Sequence, residues 1–343
     1  MIRPSDPSEP DRSGESAPLV ARVFAELADG RFHSGEDLAQ KLAVSRSAVW
    51  KAANSLRDLG ATLHAVRNRG YRLATAGEPL DAQRIRQIMT KGARERIKSL
   101  DIAWSVDSTN TVLLNRANPP VGHGEVMLAE YQAAGRGRRG RTWLAPPGGA
   151  ICLSLSWTFR EVPRDIGALG LVIGVCALRA LTALDVEKVQ VKWPNDLLIN
   201  DHKLGGVLIE LRAESGGPAC VIIGVGLNVA LGAQLLAKIA ETGLAPIDLV
   251  TAGLEEPSRN AVAAGLVSAI VPGLVEFERE GIKPFIDEWR DADALRGRPV
   301  SVHTGDTIVR GVALGIDLNG ALLVETPQGL QRLISGDASV RVT

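Results

Sequence analysis

The stretch from Glu130 to Trp143, EYQAAGRGRRGRTW, decides how the rest of this 343-residue chain is read. The strand-like run VMLAEYQ, residues 126–132, leads into it, and its Gly135, Gly137 and Gly140 satisfy the pattern G-x-G-x-x-G. A dinucleotide-binding turn of that pattern must open a helix and be followed, roughly 20 residues on, by an acidic residue ending a second strand. Here Pro146, Pro147, Gly148 and Gly149 come almost at once, and no such acid follows. The Rossmann reading is set aside. Four arginines remain, Arg136, Arg138, Arg139 and Arg141, interleaved with glycine. Glycine lets backbone N–H groups approach an anion, and guanidinium forks bind phosphate or carboxylate through paired hydrogen bonds. The segment therefore reads as a loop for a polyanion such as ATP. The competing reading, a solvated basic patch, leaves the regular glycines without a purpose.

On both sides of this loop, from about residue 97 to 230, short apolar runs are divided by Gly, Pro and Asn: IAWSV, VMLAEY, ICLSLSW, VQVKW, LLIN, GVLIEL and CVIIGVGLNV. Several alternate with period two, which predicts a mixed or antiparallel sheet, with helices over 165–184 and 258–280 packed against it. Three further segments carry chemistry. In VKWPNDL, Lys192 closes an apolar strand and is braced by Trp193 and Pro194, so its ammonium can meet a carboxylate or phosphoryl group; alternatively it is a plain strand-end lysine. Ser108, Thr109 and Asn110 stand between a strand and a helix, either as a simple helix cap or as donors and acceptors for an uncharged polar ring such as a ureido group. Gly206, Gly224, Gly226 and Asn228 lie on two glycine-bearing strands. There a flat ligand can approach the backbone, or the sheet simply packs tightly.

Residues 19–76 have a different texture. Leu19, Val23, Phe24 and Leu27, then Leu38, Leu42, Val49, Ala53 and Leu56, recur at helical spacing, with a turn through Leu42–Val44 and a helix capped by Ser45. The following ATLHAVRNRGYRLA alternates like a hairpin. Together they predict a winged helix-turn-helix, locally basic with nine Lys/Arg against five Asp/Glu. GEPLDAQ, residues 77–83, reads as a linker. From about Leu295, five short strands in fewer than 50 residues predict a small barrel.

Hydrophobic residues at 45% and charged residues at 23% exclude wholesale disorder and a fibrous chain. Lys plus Arg (39) cancels Asp plus Glu (39), so attraction to nucleic acid must be local to one region. Cys152, Cys176 and Cys220 each sit in an apolar run without CxxC spacing and read as buried thiols of a reducing compartment. The N-terminus lacks an apolar signal core, and the charge-free run 218–237 is broken by Gly and Pro, so a cytoplasmic protein without membrane attachment is expected. Five histidines offer neither a Ser-His-Asp order nor metal-ligand spacing, so no metal ligands are assigned.

Taken together, DSTN, EYQAAGRGRRGRTW, KWPNDLL, KLGGVLIEL and GVGLNV resemble, in order and spacing, the biotin protein ligases, in particular the bifunctional class that is also a biotin-operon repressor. The likeness extends to FHSGEDLAQKLAVSRSAVWK and to RPVSV…GALLVET, and so to nearly all of residues 19–343. The resemblance implies an α+β multidomain chain. A lead-in over 1–18 precedes an N-terminal winged helix-turn-helix over 19–76, a central mixed-sheet α/β ligase domain over 77–294, and a C-terminal small SH3-like β-barrel over 295–343. It implies that biotin and ATP, with Mg2+, give biotinyl-5'-AMP, and that biotin then passes to a lysine of the biotin carboxyl carrier protein. Ser108, Thr109, Asn110 and Gln132 are expected to bind biotin, while Arg136, Gly137 and Arg138 fold over the adenylate. Lys192, with Arg136 and Arg138, is expected to act on the reacting groups, and Arg341 to reach ATP from the last strand. Ser45, Arg46, Ser47, Trp50 and Lys51 would face operator DNA, with Arg67, Arg69 and Arg72 of the wing on its backbone, in a homodimer formed on adenylate binding. The wing is more basic, and Trp50 bulkier, than the family leads one to expect, which bears on the operator sequence. Three alternatives stay open: a ligase with a vestigial DNA-binding domain, a biotin-sensing regulator without catalysis, and a lipoate ligase.

Overall fold

A computed structural model describes residues 17–74, 77–213, 217–241, 245–334 and 336–340. Arg341 and most of the lead-in expected over 1–18 lie outside the described residues. Helix α1 (Leu19–Leu27) buries Val23, Phe24 and Leu27 because they share one helical face. They meet Leu38 and Leu42 of α2 (Gly35–Leu42) and Val49, Ala53 and Leu56 of α3 (Arg46–Asp58). Ser34 caps α2 by accepting from the Asp37 N–H at 3.0 Å, and Ser45 caps α3 by accepting from the Ala48 N–H at 3.2 Å. Between them Ala43 turns the chain with a φ of 54°. Strands β1 (Leu63–Val66) and β2 (Gly70–Leu73) pair antiparallel as the wing. Gly70 has φ 94°, and a Cβ there would lie 1.9 Å from the His33 carbonyl oxygen, so only glycine fits.

The expected linker is ordered and pinned. The Leu80 N–H donates to Glu130 Oε1 at 2.7 Å, Asp81 N–H to Asn260 Oδ1 at 2.8 Å, and Asn260 Nδ2 to the Pro79 carbonyl at 3.0 Å. Under these bonds lies Arg259, which is fully buried; it meets Glu130 Oε2 at 2.6 Å and donates to the carbonyls of Glu78 and Ala150. Phe24 packs on Trp104 with ring centroids 5.5 Å apart, so the first three helices rest on the central sheet.

Helices α4 (Ala82–Ile88) and α5 (Lys91–Arg96) lead into β3 (Ile97–Val106), α6 (Thr109–Leu114), β4 (Gly124–Gln132) and β5 (Ala150–Phe159). Then come α7 (Leu169–Thr182), β6 (Val189–Lys192), β7 (Asp196–Ile199), β8 (His202–Ala213), β9 (Ala219–Asn228), α8 (Ala233–Ala240), α9 (Arg259–Glu280) and α10 (Ile286–Asp291). The seven strands run in the order β3-β4-β5-β9-β8-β7-β6, with only β3 and β4 parallel, as the alternating runs predicted. Period-two alternation gives the sheet two different faces. On β5 and β9, Ile151, Leu153, Leu155, Trp157, Val221, Ile223 and Val225 join the main core beneath α7 and α9. On the opposite face Cys152, Ser154, Gly224 and Gly226 are small or polar, and α6 packs there over Met127, Cys220 and Ile222. Helix α9 is long and apolar enough to cross a membrane by length and composition, yet it is this core helix. A Cβ on its Gly273 would come within 2.4 Å of Cys176 Sγ on α7, which shows how closely the two helices approach.

The last five strands, β10 (Pro299–Thr304), β11 (Thr307–Ile316), β12 (Leu322–Thr326), β13 (Gly329–Leu333) and β14 (Asp337–Val340), form an antiparallel sheet in the order β13-β12-β11-β10-β14. Its Val300, Val302, Ala313, Ile316, Leu322 and Val324 continue the main core, so apolar packing runs unbroken across residue 295. At this junction Asp293 is buried. Its Oδ1 accepts from the Leu295 N–H at 2.8 Å, and Oδ2 has no partner. Burial pushes its pKa up from 3.8 to about 6, against the opposing pull of that N–H and of Arg296. The folded state thus holds this proton more tightly than the unfolded chain does. Stability is undiminished below about pH 4 and falls as pH rises toward 6. Asp293→Asn is therefore expected to raise stability at pH 8, by at most about 3 kcal/mol, and to leave it nearly unchanged at pH 4. Thermal melts of the two proteins at both pH values check this.

Candidate active site

The small and polar face of the sheet supplies the floor of the site, and α6 supplies its wall. Helix α6 begins directly after β3, which brings its first turn against the end of the neighbouring parallel strand β4. Gln132, the last residue of β4, uses Oε1 to accept from the Thr109 backbone N–H at 2.8 Å and from Thr109 Oγ1 at 3.1 Å. It thus caps the helix that Ser108, buried but without a side-chain cap bond, does not. Below them Ser154, fully buried on β5, lies 2.7 Å from Thr109 Oγ1 and 2.5 Å from Asn110 Oδ1. Asn110 Nδ2 donates to Glu210 Oε2 on β8 at 2.7 Å. Gly224 is pressed beneath Asn110: a Cβ there would stand 2.5 Å from Asn110 Oδ1. Buried hydroxyls and amides held in one connected set form a stiff template for a neutral polar ring.

The arginine loop covers this template. It is not a helix start: Arg136 bridges to Thr142, Gly137 N–H donates to the Arg141 carbonyl at 2.7 Å, and Trp143 N–H to the Gly135 carbonyl at 2.8 Å. The loop therefore closes on itself like a hairpin, with Arg139 turning it at φ 54°. Arg136 donates to Thr111 Oγ1 at 2.9 Å and lies 3.5 Å from Glu210 Oε1. Arg138 donates to Asn195 Oδ1 at 3.3 Å, which draws the loop onto the turn after Lys192. Trp143 lies over Gly226, where a Cβ would meet its ring at 2.7 Å. Cys152, next to Gly226 across the ladder, is no nucleophile, since burial pushes its thiol up to about 11.

Lys192 ends β6 opposite Asp196, and Trp193 behind it is buried, its indole N–H donating to the Gly320 carbonyl of the C-terminal sheet at 3.2 Å. The brace inferred from the sequence thus extends into the last domain. Of the strand glycines, Gly224 and Gly226 lie in the site, whereas a Cβ on Gly206 would make only ordinary contacts, the nearest at 3.4 Å. Asn228 is buried and its Nδ2 donates to the Ile247 carbonyl at 2.9 Å, so its amide ties down a neighbouring segment. Among the described residues no group of three or more His, Cys, Asp or Glu gathers into a cluster able to hold a metal ion. Ser154, Glu210, Thr111, Trp143 and Asn195 were not singled out from the sequence. The alternation in ICLSLSW, which puts two serines on one face of a buried strand, was the signal for the first.

On α3, Ser45, Arg46, Ser47, Trp50 and Lys51 are all exposed, and Trp50 exposes 57% of its surface. Arg67 and Arg69 of the wing are exposed too, with Arg69 stacked 4.2 Å over the Phe32 ring and Arg72 beside it. An exposed helix N-terminus beside an arginine-bearing hairpin fits a duplex groove.

Residues 103–228 match the Biotin/lipoate A/B protein ligase family, residues 22–72 an HTH domain, and residues 296–341 the Biotin protein ligase C terminal domain. The chain is 38% identical to the bifunctional ligase/repressor BirA of Escherichia coli over 93% of its own length and 96% of that protein's. It is 32% identical to the biotin--[acetyl-CoA-carboxylase] ligase of Mycobacterium tuberculosis over 72% and 90% of the two lengths. Its fold is similar to the biotin protein ligase of Aquifex aeolicus in complex with biotin and ATP, with TM-score 0.59 and 25% identity over 73% of this chain and all of that one.

Because a methyl group on Gly226 would overlap the Trp143 ring, Gly226→Ala is expected to displace the end of the arginine loop. The strain should cost about 1–3 kcal/mol, read as a lower urea midpoint together with altered tryptophan fluorescence.

Proposed function

This chain belongs to the bifunctional biotin ligase/repressor family, a biotin protein ligase with a helix-turn-helix repressor domain that uses biotin and ATP, and from that premise we propose how its residues divide the work. The reading rests above all on one observation: the Thr109–Asn110–Ser154–Gln132 set lies directly under the Arg136 end of a glycine-rich basic loop. Ser108, Thr109, Asn110 and Gln132 take the ureido ring of biotin, and Gly224 and Gly226 let Asn110 and Trp143 lie close on the sheet around it. The carboxylate then extends toward Arg136, Arg138 and Lys192.

In the first step a biotin carboxylate oxygen attacks the α-phosphorus of ATP and pyrophosphate leaves. Two anions must approach, so positioned cations lower the barrier, each worth about 3–4 kcal/mol when preorganised. The guanidinium groups of the loop fit phosphate, and Mg2+ enters with the triphosphate as part of the substrate. The mixed anhydride is open to hydrolysis, and a loop that closes by its own ladder bonds excludes water from it. In the second step the lysine amine of the biotin carboxyl carrier protein attacks the acyl carbon and AMP leaves. Arg341 is assigned to ATP on family likeness alone.

The adenylate-bound form dimerises and represses the biotin operon through α3 and the wing, with Ser45, Arg46, Ser47, Trp50 and Lys51 in the major groove. A dimer is favoured because one winged helix makes few phosphate contacts. Beyond Val207, which still bonds to Asn195, β8 has no further strand paired on that side among the described residues, and a second copy can use this edge. The protein works in the cytoplasm, where its acceptor and operator are.

Two outcomes are expected. Purified protein should catalyse biotin-dependent exchange of labelled pyrophosphate into ATP, and Lys192→Ala should lower that exchange by roughly 100-fold or more without a fall in melting temperature. Biotin binding without exchange by the unaltered chain would instead mark a sensor without catalysis. The double variant Arg46→Ala, Lys51→Ala should weaken binding to biotin-operon DNA at least roughly tenfold and reduce its salt dependence while leaving exchange unchanged.

A further inference from the structure

We propose that Glu210 is the specificity-determining residue of the biotin site, acting through Asn110 rather than on the ligand itself; this rests on the assignment of the Asn110 set to the ureido ring. A side-chain amide presents a donor at one end and an acceptor at the other, so what Asn110 offers a ligand depends on which way round it is held. Ser154, at 2.5 Å from Oδ1, does not decide this, because a hydroxyl either donates or accepts. Thr109 Oγ1 lies 2.7 Å from Ser154 and 3.1 Å from Gln132 Oε1, and its one proton can go to either, so it leaves the sense of the Ser154 hydroxyl open. Gly224 lets the amide lie close on the sheet without choosing its sense, because a glycine offers no side-chain donor or acceptor to it.

Glu210 is different, because an ionised carboxylate only accepts. Its Oε2 stands 2.7 Å from Asn110 Nδ2, and its Oε1 faces the Arg136 guanidinium at 3.5 Å. Turning the amide over would place two acceptor oxygens against each other. The carboxylate therefore locks Asn110 with its NH2 group toward β8 and its oxygen toward Ser154. One amide N–H goes to Glu210, and the second is left to donate to a bound ligand. Asn110 then requires an acceptor on the ligand, which the ureido oxygen of biotin is and a guanidinium N–H is not. The position of Glu210 follows from the strand: it lies two and four residues along β8 from Leu208 and Gly206, which pair with Gly224 and Gly226.

The test uses the full-length chain and compares biotin with 2-iminobiotin, in which a guanidinium replaces the ureido group, as substrates for pyrophosphate exchange. Glu210→Gln keeps the shape of the side chain but adds a donor, so Asn110 can pair in either sense. The ratio of kcat/KM for biotin over 2-iminobiotin is expected to fall at least roughly tenfold, mainly through KM. The ratio is internal to each preparation, so a general loss of stability lowers both values and leaves it unmoved. In an Asn110→Ala background the same change should no longer alter the ratio. A ratio within about twofold of the unaltered chain's, or an equal fall in the Asn110→Ala background, would overturn the proposal. Turnover of biotin by the unaltered chain in the same assay separates a failure of this inference from a failure of the site assignment.

Discussion

A guanidinium with no exposure to water, Arg259, ties together parts of this molecule that are far apart in sequence. It pairs with Glu130 on β4 and donates to the carbonyls of Glu78, in the linker, and Ala150, the first residue of β5. A buried charge is tolerable only when fully paired and hydrogen-bonded, so these four groups must all be in place together. Glu130 in turn holds the Leu80 N–H. Residues 78–80 are thereby fixed to the strand that ends at Gln132, just before the arginine loop. The stacking of Phe24 on Trp104 adds a second, apolar attachment. The winged helix-turn-helix thus touches the central sheet through Phe24 and Trp104, and residues 78–80 are bonded to the strand that leads to the ligand site.

The site itself is a consequence of how one sheet is covered. Helices α7 and α9, with α4 and α5 at the β3 edge, cover one face, and the opposite face of β5 and β9 carries cysteine, serine and glycine where a core would carry Val or Leu. That loss of apolar contact is made good by α6 and by a connected set of hydrogen bonds. It leaves a shallow polar template, roofed by Trp143 and Arg136. Cations stand at the rim and neutral donors and acceptors on the floor, the division of labour expected for a ligand that is polar and uncharged at one end and anionic at the other.

Much of this was legible in the chain alone. Helix-turn-helix spacing, the Ser45 cap, the wing with its glycine, seven central strands and five terminal ones all follow from local periodicity and turn chemistry, and the structure contains each of them. The Ser108–Asn110 segment, Gln132 and the arginine loop do converge. Glu210 is a lone polar residue in an apolar strand, and Ser154 one of two alternating serines, so the meaning of each depends on which neighbour faces it. Asn228 drew attention through its glycine neighbours, yet its amide holds the Ile247 carbonyl, a contact no spacing predicts.

The sequence by itself determined which elements form and which residue types are available for chemistry, because both depend on interactions within a few residues of one another. Tertiary structure alone decided which side chains meet. The sheet order places β9 between β5 and β8, so that Ser154, Gly224 and Glu210, far apart in the chain, lie in neighbouring strands under Asn110. The register of those ladders fixes which side of each strand faces the site, and a slip of one residue would turn every one of these groups to the opposite face.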